Sequence, residues 1–291
     1  NRNSQVGSRR NIEAHYDLGN EMFELFLDPT MMYSCAYYPD NETTLDQAAV
    51  AKLERICDKL QLSESDHVIE IGTGWGGFAI YAATHYGCKV TTTTISRQQF
   101  EVAQQRVIAA GLEEKVTLLM EDYRDLQGSY DKLVSIEMIE AVGHQYLDTY
   151  FAKCSSLLKS DGIMLIQAIT IQDQFYDQAI KSVDFIQRYI FPGGFIPSVT
   201  AISNAVKKST DVRLFQMEDI GPHYATTLRD WRKSFFDNLE QVKALGYSDQ
   251  FIAMWEFYLC YCEGGFLERT LGTSHLVFTK PRNSIDWRGS I

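Results

Sequence analysis

The chain has 291 residues, 45% of them hydrophobic, enough to bury one sizeable core. Asp and Glu total 38 against 27 Lys and Arg, a formal net charge of -11. That balance argues against nucleic-acid binding and leaves any contact with anionic lipid to a local basic patch. The six cysteines (Cys35, Cys57, Cys88, Cys154, Cys260 and Cys262) are scattered without a C-x-x-C pair, which points to reduced, cytosolic thiols rather than a disulfide framework.

Residues 9–28 and 43–61 read as helices; the second starts at a Thr cap, with Leu45, Ala49, Leu53, Ile56 and Leu60 on one face. Apolar strands then alternate with helices. The strands are His67–Gly72, Lys89–Ile95, Val116–Glu121, Lys132–Glu137 and Ile163–Ile169; helices are expected near 77–86, 97–110 and 144–158. This alternation predicts a parallel sheet covered on both faces. Between Gln172 and Ser209 lies an aromatic-rich insertion, longer than an ordinary connection and expected to act as a lid or lipid-binding segment. Val212–Ile220, a long helical span over 226–263 and the closing "SHLVFTK" predict an antiparallel edge on the sheet. Cys260 and Cys262 would point about 200° apart on a helix, a poor metal clamp, and no metal site is expected. No apolar run is long enough to span a bilayer and no signal peptide is visible; because the first residue is Asn, a processed chain or a fragment lacking an upstream domain is expected. Residues 1–291 are otherwise read as a single domain.

The stretch "VIEIGTGWGG" (Val68–Gly77) carries the chemistry. Gly72, Gly74 and Gly77 spell G-x-G-x-x-G, a dinucleotide fingerprint, but Glu70 also precedes the first glycine by two residues. A dinucleotide site would add an acid about 20 residues on, where this chain reads "VTTTTIS". An acid at Glu70 suits a ligand bearing an ammonium and a sulfonium, so S-adenosylmethionine is favoured over NAD.

The segment "AHYDLGNEMFELFLDPTMMYSCAYY" (Ala14–Tyr38) resembles the cyclopropane-fatty-acid synthase and mycolic acid cyclopropane synthase family. The resemblance continues through "IEIGTGWGGFAIYAA", "TTTISRQQ", "EDYRDL", "SIEMIEAVG", "YIFPGGFIPS" and "HYATTLRDW", from about Asn11 to Pro281. It implies an α/β, class I Rossmann-like methyltransferase with a mostly parallel seven-stranded sheet, N-terminal helices and a helical insertion after the fifth strand. It also implies a cofactor site. Tyr33 and Ser34 would close over the methionine end, Gly72 and Gly74 form the turn beneath it, Thr94 and Gln99 lie on the ribose side, and Asp122 and Tyr123 lie at the adenine edge. Arg124 stands where some relatives carry an acid.

Family chemistry is methyl transfer to the double bond of an unsaturated acyl chain through a carbocation, which aromatic faces would stabilise. Of the aromatic residues Tyr16, Tyr33, Tyr37, Tyr189, Phe191 and Tyr224, those expected to act in the site are Tyr16, Tyr33 and Tyr224. The family's base is thought to be a bound bicarbonate, whose ligands map to Cys35, Glu140, Gln167, Ile169 and Tyr224; Gln167 replaces a histidine. A glutamine amide can donate but cannot titrate, so the expectation is a small oxyanion held with Gln167 as donor. His15 and His223 read as structural hydrogen-bonders, and Cys35 as contributing its amide, not a nucleophilic thiol.

The resemblance therefore implies a C-methyltransferase forming cyclopropanes on phospholipid acyl chains. Alternatives are a methyl- or methylene-branched product, a small-molecule amine N-methyltransferase, an inactive lipid-binding protein and, last, an NAD enzyme. Expected partners are an unsaturated phospholipid or fatty acyl substrate and a transient membrane surface contact, with no nucleic acid; a homodimer, and a reductase if the product is branched, are compatible. The location implied is cytoplasmic, peripheral at the inner face of the membrane. Docking is expected through Ile190, Phe191, Phe195 and Ile196, with Lys181, Arg188, Lys207 and Lys208 supplying charge.

Overall fold

The computed structural model describes residues 3–5, 7 and 19–284. Seven strands form one sheet: β1 (His67–Ile71), β2 (Lys89–Thr93), β3 (Val116–Leu119), β4 (Tyr130–Ile136), β5 (Leu158–Ile171), β6 (Arg213–Asp219) and β7 (Leu271–Thr279). Their order is β3-β2-β1-β4-β5-β7-β6. The first five are mutually parallel, and β7 pairs antiparallel with both β5 and β6. The antiparallel edge expected on the sheet is thus present, formed by β7 and β6, with β7 inserted between β5 and β6.

Helices cover both faces. Leu45–Leu60 starts at a capping box in which Thr44 and Gln47 satisfy each other's backbone amides, and it buries Leu53, Ile56 and Leu60 as expected. It packs with Gly77–His85 over β1 and β2, around Val68, Phe78, Val90 and Val134. On the other face, Leu147–Leu157 packs against Val199–Ser209 through Phe151, Cys154, Ile202 and Val206.

The span 226–263 is not one helix. It breaks into Gly221–Asp237, Leu239–Ala244 and Asp249–Leu267. Gly246 at φ 95° stops the second, and Ser248 caps the third by accepting from the Phe251 amide. The insertion divides too. Its last helix, Val199–Ser209, is an ordinary core element that buries Ile202, Ala205 and Val206, while Asp173–Ala179 and Phe185–Tyr189 stay near the surface. From the expected first helix, Asn20–Glu24 is helical and buries Met22 and Phe23; residues 9–18, including His15 and Tyr16, lie outside the described residues. Among the described residues no helix is long and apolar enough to cross a membrane, and all six cysteines are free.

Candidate active site

The turn after β1 is built by glycines at φ 103° (Gly72), 53° (Gly74) and 87° (Gly76), conformations that side chains with a Cβ rarely adopt. The Gly72 and Thr73 amides both donate to the Thr93 carbonyl, tying the turn to the end of β2. A Cβ on Gly74 would meet no protein atom within 4 Å, so this residue borders open space. Gly77, the third glycine of the fingerprint, has a different task. A Cβ there would lie 2.5 Å from the Thr30 carbonyl oxygen and 2.7 Å from Met32 Sδ, so Gly77 lets the segment before Tyr33 pack on the helix start. Arg106 fixes that segment by donating to the Pro29, Thr30 and Trp75 carbonyls. Gly77→Ala is expected to cost roughly 1–3 kcal/mol through overpacking, read as a lower urea midpoint with unchanged cofactor affinity of the folded fraction.

A cavity of about 870 Å³ opens from this turn. All nine residues assigned to the cofactor line it: Tyr33, Ser34, Glu70, Gly72, Gly74, Thr94, Gln99, Asp122 and Tyr123. Glu70 is buried and accepts from Thr92 Oγ1 at 2.6 Å; burial pushes its carboxyl up to about 8. Thr94 Oγ1 donates to Gln99 Oε1 at 3.1 Å. Ser34 is held from behind, its hydroxyl accepting at 2.6 Å from Lys52, a lysine buried completely. Arg124, the departure noted at the adenine edge, folds back on Asp122: its Nε and Nη2 donate to the two carboxylate oxygens, each at 2.7 Å. Its guanidinium carbon lies 5.3 Å from the Tyr123 ring centroid. The acid at this edge is therefore already neutralised by the chain.

Deeper in the cavity lies a cluster of carboxylates. Cys35, Gln167, Ile169, Tyr224 and Glu140 are brought together, as the resemblance implies, but a residue sequence reasoning passed over sits among them. Glu137, at the end of β4, accepts from the Cys35 amide (2.9 Å) and Gln167 Nε2 (2.8 Å) through Oε1 and from the Tyr224 hydroxyl (2.7 Å) through Oε2. The Ile169 amide donates to Glu140 Oε1 at 2.6 Å. All the donors expected to hold a bicarbonate thus already serve carboxylates of the chain, and a free bicarbonate does not fit this arrangement. Burial, then the charge of Glu137, pushes the Glu140 carboxyl up to about 8, and its Oε2 is buried without a hydrogen-bond partner. Burial also raises Glu137, opposed by its hydrogen bonds with Tyr224, Cys35 and Gln167 and by the charge of Lys52.

Gln167 is oriented by His275, which lies opposite it in the β5–β7 ladder, with His275 Nε2 2.9 Å from Gln167 Oε1. Burial holds His275 well below the usual histidine range, so the ring is neutral. With its Nε2–H donating to the amide oxygen, the Gln167 NH2 is aimed at Glu137 and at the Cys35 carbonyl, 3.2 Å away. Sequence spacing held no signal for His275, 108 positions from Gln167. The Cys35 thiol is buried and pushed well up by burial and Glu137, against a nucleophilic role. His223 is structural as expected, accepting from the Tyr38 amide through Nδ1.

Aromatic rings line the apolar side. Tyr33 and Tyr258 share a hydroxyl hydrogen bond at 2.8 Å. The Tyr33 ring lies 6.2 Å from Phe191, and Tyr224 stacks on Phe266 at 4.5 Å. Tyr258 and Phe266 were not anticipated. Tyr37 and Tyr189 point elsewhere: Tyr37 packs under Arg55 and His223, and Tyr189 is exposed.

The expected docking residues need correction. Ile190 and Phe195 are buried, and Lys208 pairs with Asp148 on the helix Leu147–Leu157. A different apolar group lies partly exposed beside the cavity. Phe185 touches Tyr189 (5.4 Å), Phe257 (4.7 Å) and Tyr261 (6.2 Å), and Tyr261 also lines the cavity. Tyr189, Phe257 and Tyr261 are 54%, 51% and 46% exposed.

A glycine turn at the carboxyl edge of a seven-stranded, mostly parallel sheet, opening into this cavity, defines a Rossmann-like methyltransferase fold. The chain belongs to the family described as mycolic acid cyclopropane synthetase, which it matches over residues 3–276. It is 42% identical over 270 residues to the tuberculostearic acid methyltransferase UfaA1 of Mycobacterium tuberculosis, a match covering 90% of this chain and 63% of that protein. It is 41% identical over 271 residues to the cyclopropane-fatty-acyl-phospholipid synthase of Escherichia coli K12, covering 92% of this chain and 67% of that one. The chain therefore spans under two thirds of the first relative's length. The mycolic acid cyclopropane synthase CmaA1, solved with SAH and CTAB, superposes with a TM-score of 0.87 at 30% identity, covering 94% of this chain and 98% of that one.

Proposed function

We propose that this protein is an S-adenosylmethionine-dependent C-methyltransferase that acts on the double bond of unsaturated fatty acyl chains of phospholipids and forms a cyclopropane. The observation that carries the reading is that one cavity holds both the Glu70–Gly74 turn and a channel walled by Tyr33, Ile169, Phe191, Tyr224 and Phe266, with carboxylates where the two meet. S-adenosylmethionine supplies an activated methyl group. Gly74 leaves room for it, and the buried Glu70 carboxyl, uncharged near neutral pH in the unliganded protein, would ionise beside its cationic end. The channel excludes water and holds the alkene in line with the methyl, which converts a weak nucleophile into a reacting one. The rings of Tyr33, Tyr224 and Phe266 face the developing carbocation through their π-systems.

The test is incubation with methyl-labelled cofactor and mixed unsaturated phospholipids, followed by mass spectrometry of the lipid. The expected product is a chain heavier by one CH2 and resistant to hydrogenation. Label on an added amine, or no label in lipid, would refute the reading. A methyl- or methylene-branched product is the second reading, supported by the 42% identity to a relative named as a tuberculostearic acid methyltransferase.

The acyl chain has to leave the bilayer to reach this channel, so the protein is proposed to dock reversibly at the inner face of the membrane. The face is the Phe185, Tyr189, Phe257 and Tyr261 cluster, with Lys181 and Arg188 exposed beside it. Phe257→Ser with Tyr189→Ser is expected to weaken sedimentation with anionic vesicles about tenfold, since each removes apolar surface from the docking face. Vesicle binding equal to that of the unsubstituted protein would reject this face.

A further inference from the structure

Three donors converge on one point in the cavity, and the ligand they hold is part of the chain. The Cys35 amide, the Gln167 amide and the Tyr224 hydroxyl all donate to Glu137. We propose that the Glu137 carboxylate is itself the base of the reaction, standing where the family resemblance calls for a free oxyanion, so that turnover needs no bicarbonate. The proposal rests on the methyltransferase reading above.

Geometry gives Glu137 the form of a held base. Oε1 receives two donors and Oε2 one, so Oε2 keeps a lone pair for an incoming proton. Glu137 lines the cavity together with Tyr224, Glu140 and the glycine turn. Its backbone is at φ 48°, a left-handed conformation uncommon for a residue with a side chain. Its own amide donates to the Gln167 carbonyl at 2.8 Å. A glycine would take that backbone without strain; a glutamate stands there instead, held by three donors, as strained residues at functional sites are. Three hydrogen bonds and the nearby Lys52 favour the ionised form, while burial makes it a stronger base than an exposed carboxylate. Glu140 beside it, pushed up to about 8, stays protonated near neutral pH and adds no second negative charge.

The step balances without an added reagent. The alkene pair forms a bond to the methyl carbon as the carbon–sulfur bond breaks, its pair going to sulfur and leaving a cation on the acyl chain. Glu137 then takes a proton from the transferred methyl, and the freed C–H pair closes the ring. The proton passes from Glu137 to solvent after product leaves.

The test compares the unsubstituted protein with Glu137→Gly, whose backbone that position suits; because the substitution frees three donors, bicarbonate should raise the thermal midpoint of the variant and not that of the unsubstituted protein. In buffer purged of carbon dioxide the unsubstituted protein should keep its full rate, and Glu137→Gly should be at least a hundredfold slower. Added bicarbonate or formate should restore the variant tenfold or more and leave the unsubstituted protein unchanged. Carbon-13 NMR with labelled bicarbonate gives a readout independent of turnover: the variant should bind it and the unsubstituted protein should not. The proposal is overturned if the unsubstituted protein binds bicarbonate in the cavity or slows tenfold on purging, or if Glu137→Gly runs at full rate in purged buffer. A protein that transfers no methyl to lipid yet shows the expected binding pattern would count against the proposed function alone.

Discussion

Gly74→Val is expected to abolish binding of S-adenosylmethionine and of its demethylated product, with an affinity loss on the order of 1,000-fold or more. Two effects combine. At φ 53° the backbone of Gly74 is unsuited to a β-branched residue, which shifts the turn. The added side chain also projects where no protein atom lies within 4 Å, into the cavity itself. Because it meets nothing in the unliganded protein, the fold should survive, at a cost of about 1–2 kcal/mol for the strained backbone. Calorimetric titration of the variant, with circular dichroism to confirm folding, checks this. Gly77→Ala should behave in the opposite way, losing stability and keeping affinity. Unchanged cofactor affinity in Gly74→Val would remove the nucleotide from this turn, and tight NAD binding by the unsubstituted protein would replace S-adenosylmethionine altogether.

Glu140→Gln is expected to make the protein more stable above pH 8 and to flatten its stability profile between about pH 4.5 and pH 8. The sign follows from linkage. Burial pushes the Glu140 carboxyl up to about 8 in the folded protein from its ordinary 4.5, so between those values the folded state holds a proton that the unfolded state has lost. Stability is therefore greatest below the unfolded value and declines as pH rises to the folded one, by an amount on the order of 5 kcal/mol for this shift. Burial is the larger cause and the charge of Glu137 the second, so the pair titrates as a unit. Glutamine keeps the acceptor for the Ile169 amide and has no proton to lose. His67, His223 and His275, all held below the usual histidine range, act in the opposite direction below pH 6.5, so the difference between the two proteins is the quantity to measure. Urea unfolding at pH 5.5, 7 and 8.5 gives it directly. Parallel profiles for the two proteins would mean that Glu140 is ionised across this range and that the cluster carries two negative charges.

Much of the architecture was legible because its signals are local. The strands from β1 to β5 are short apolar runs separated by helical periodicity, and Thr44 announces its helix with a capping box. The failures have two causes. In 226–263 the breaks at Asn238 and at Gly246 with the Ser248 cap are local, but apolar periodicity on either side outweighed them. Aromatic residues of the insertion look alike in sequence, yet Phe195 is buried while Tyr189 is exposed, since the fold closes over the one and ends at the other.

In the site the same division holds. Sequence alone determined the nucleotide turn: Glu70, Gly72 and Gly74 lie within five consecutive residues, and a backbone that must take positive φ beside a ligand calls for glycine. Of the two acids that follow β4, Glu137 and Glu140, it pointed to Glu140 alone. Tertiary structure decided which carboxylate meets which donor. Cys35 precedes the first strand, Gln167 lies on β5, His275 on β7 and Tyr224 on the helix Gly221–Asp237, and nothing in their spacing tells that they converge. They converge on Glu137 because β4 lies beside β5, which places Glu137 next to Gln167, and because β7 inserts beside β5, which places His275 behind that glutamine. A hydrogen bond requires its partners within about 3 Å, and only the order of strands in the sheet sets that distance for residues more than a hundred positions apart.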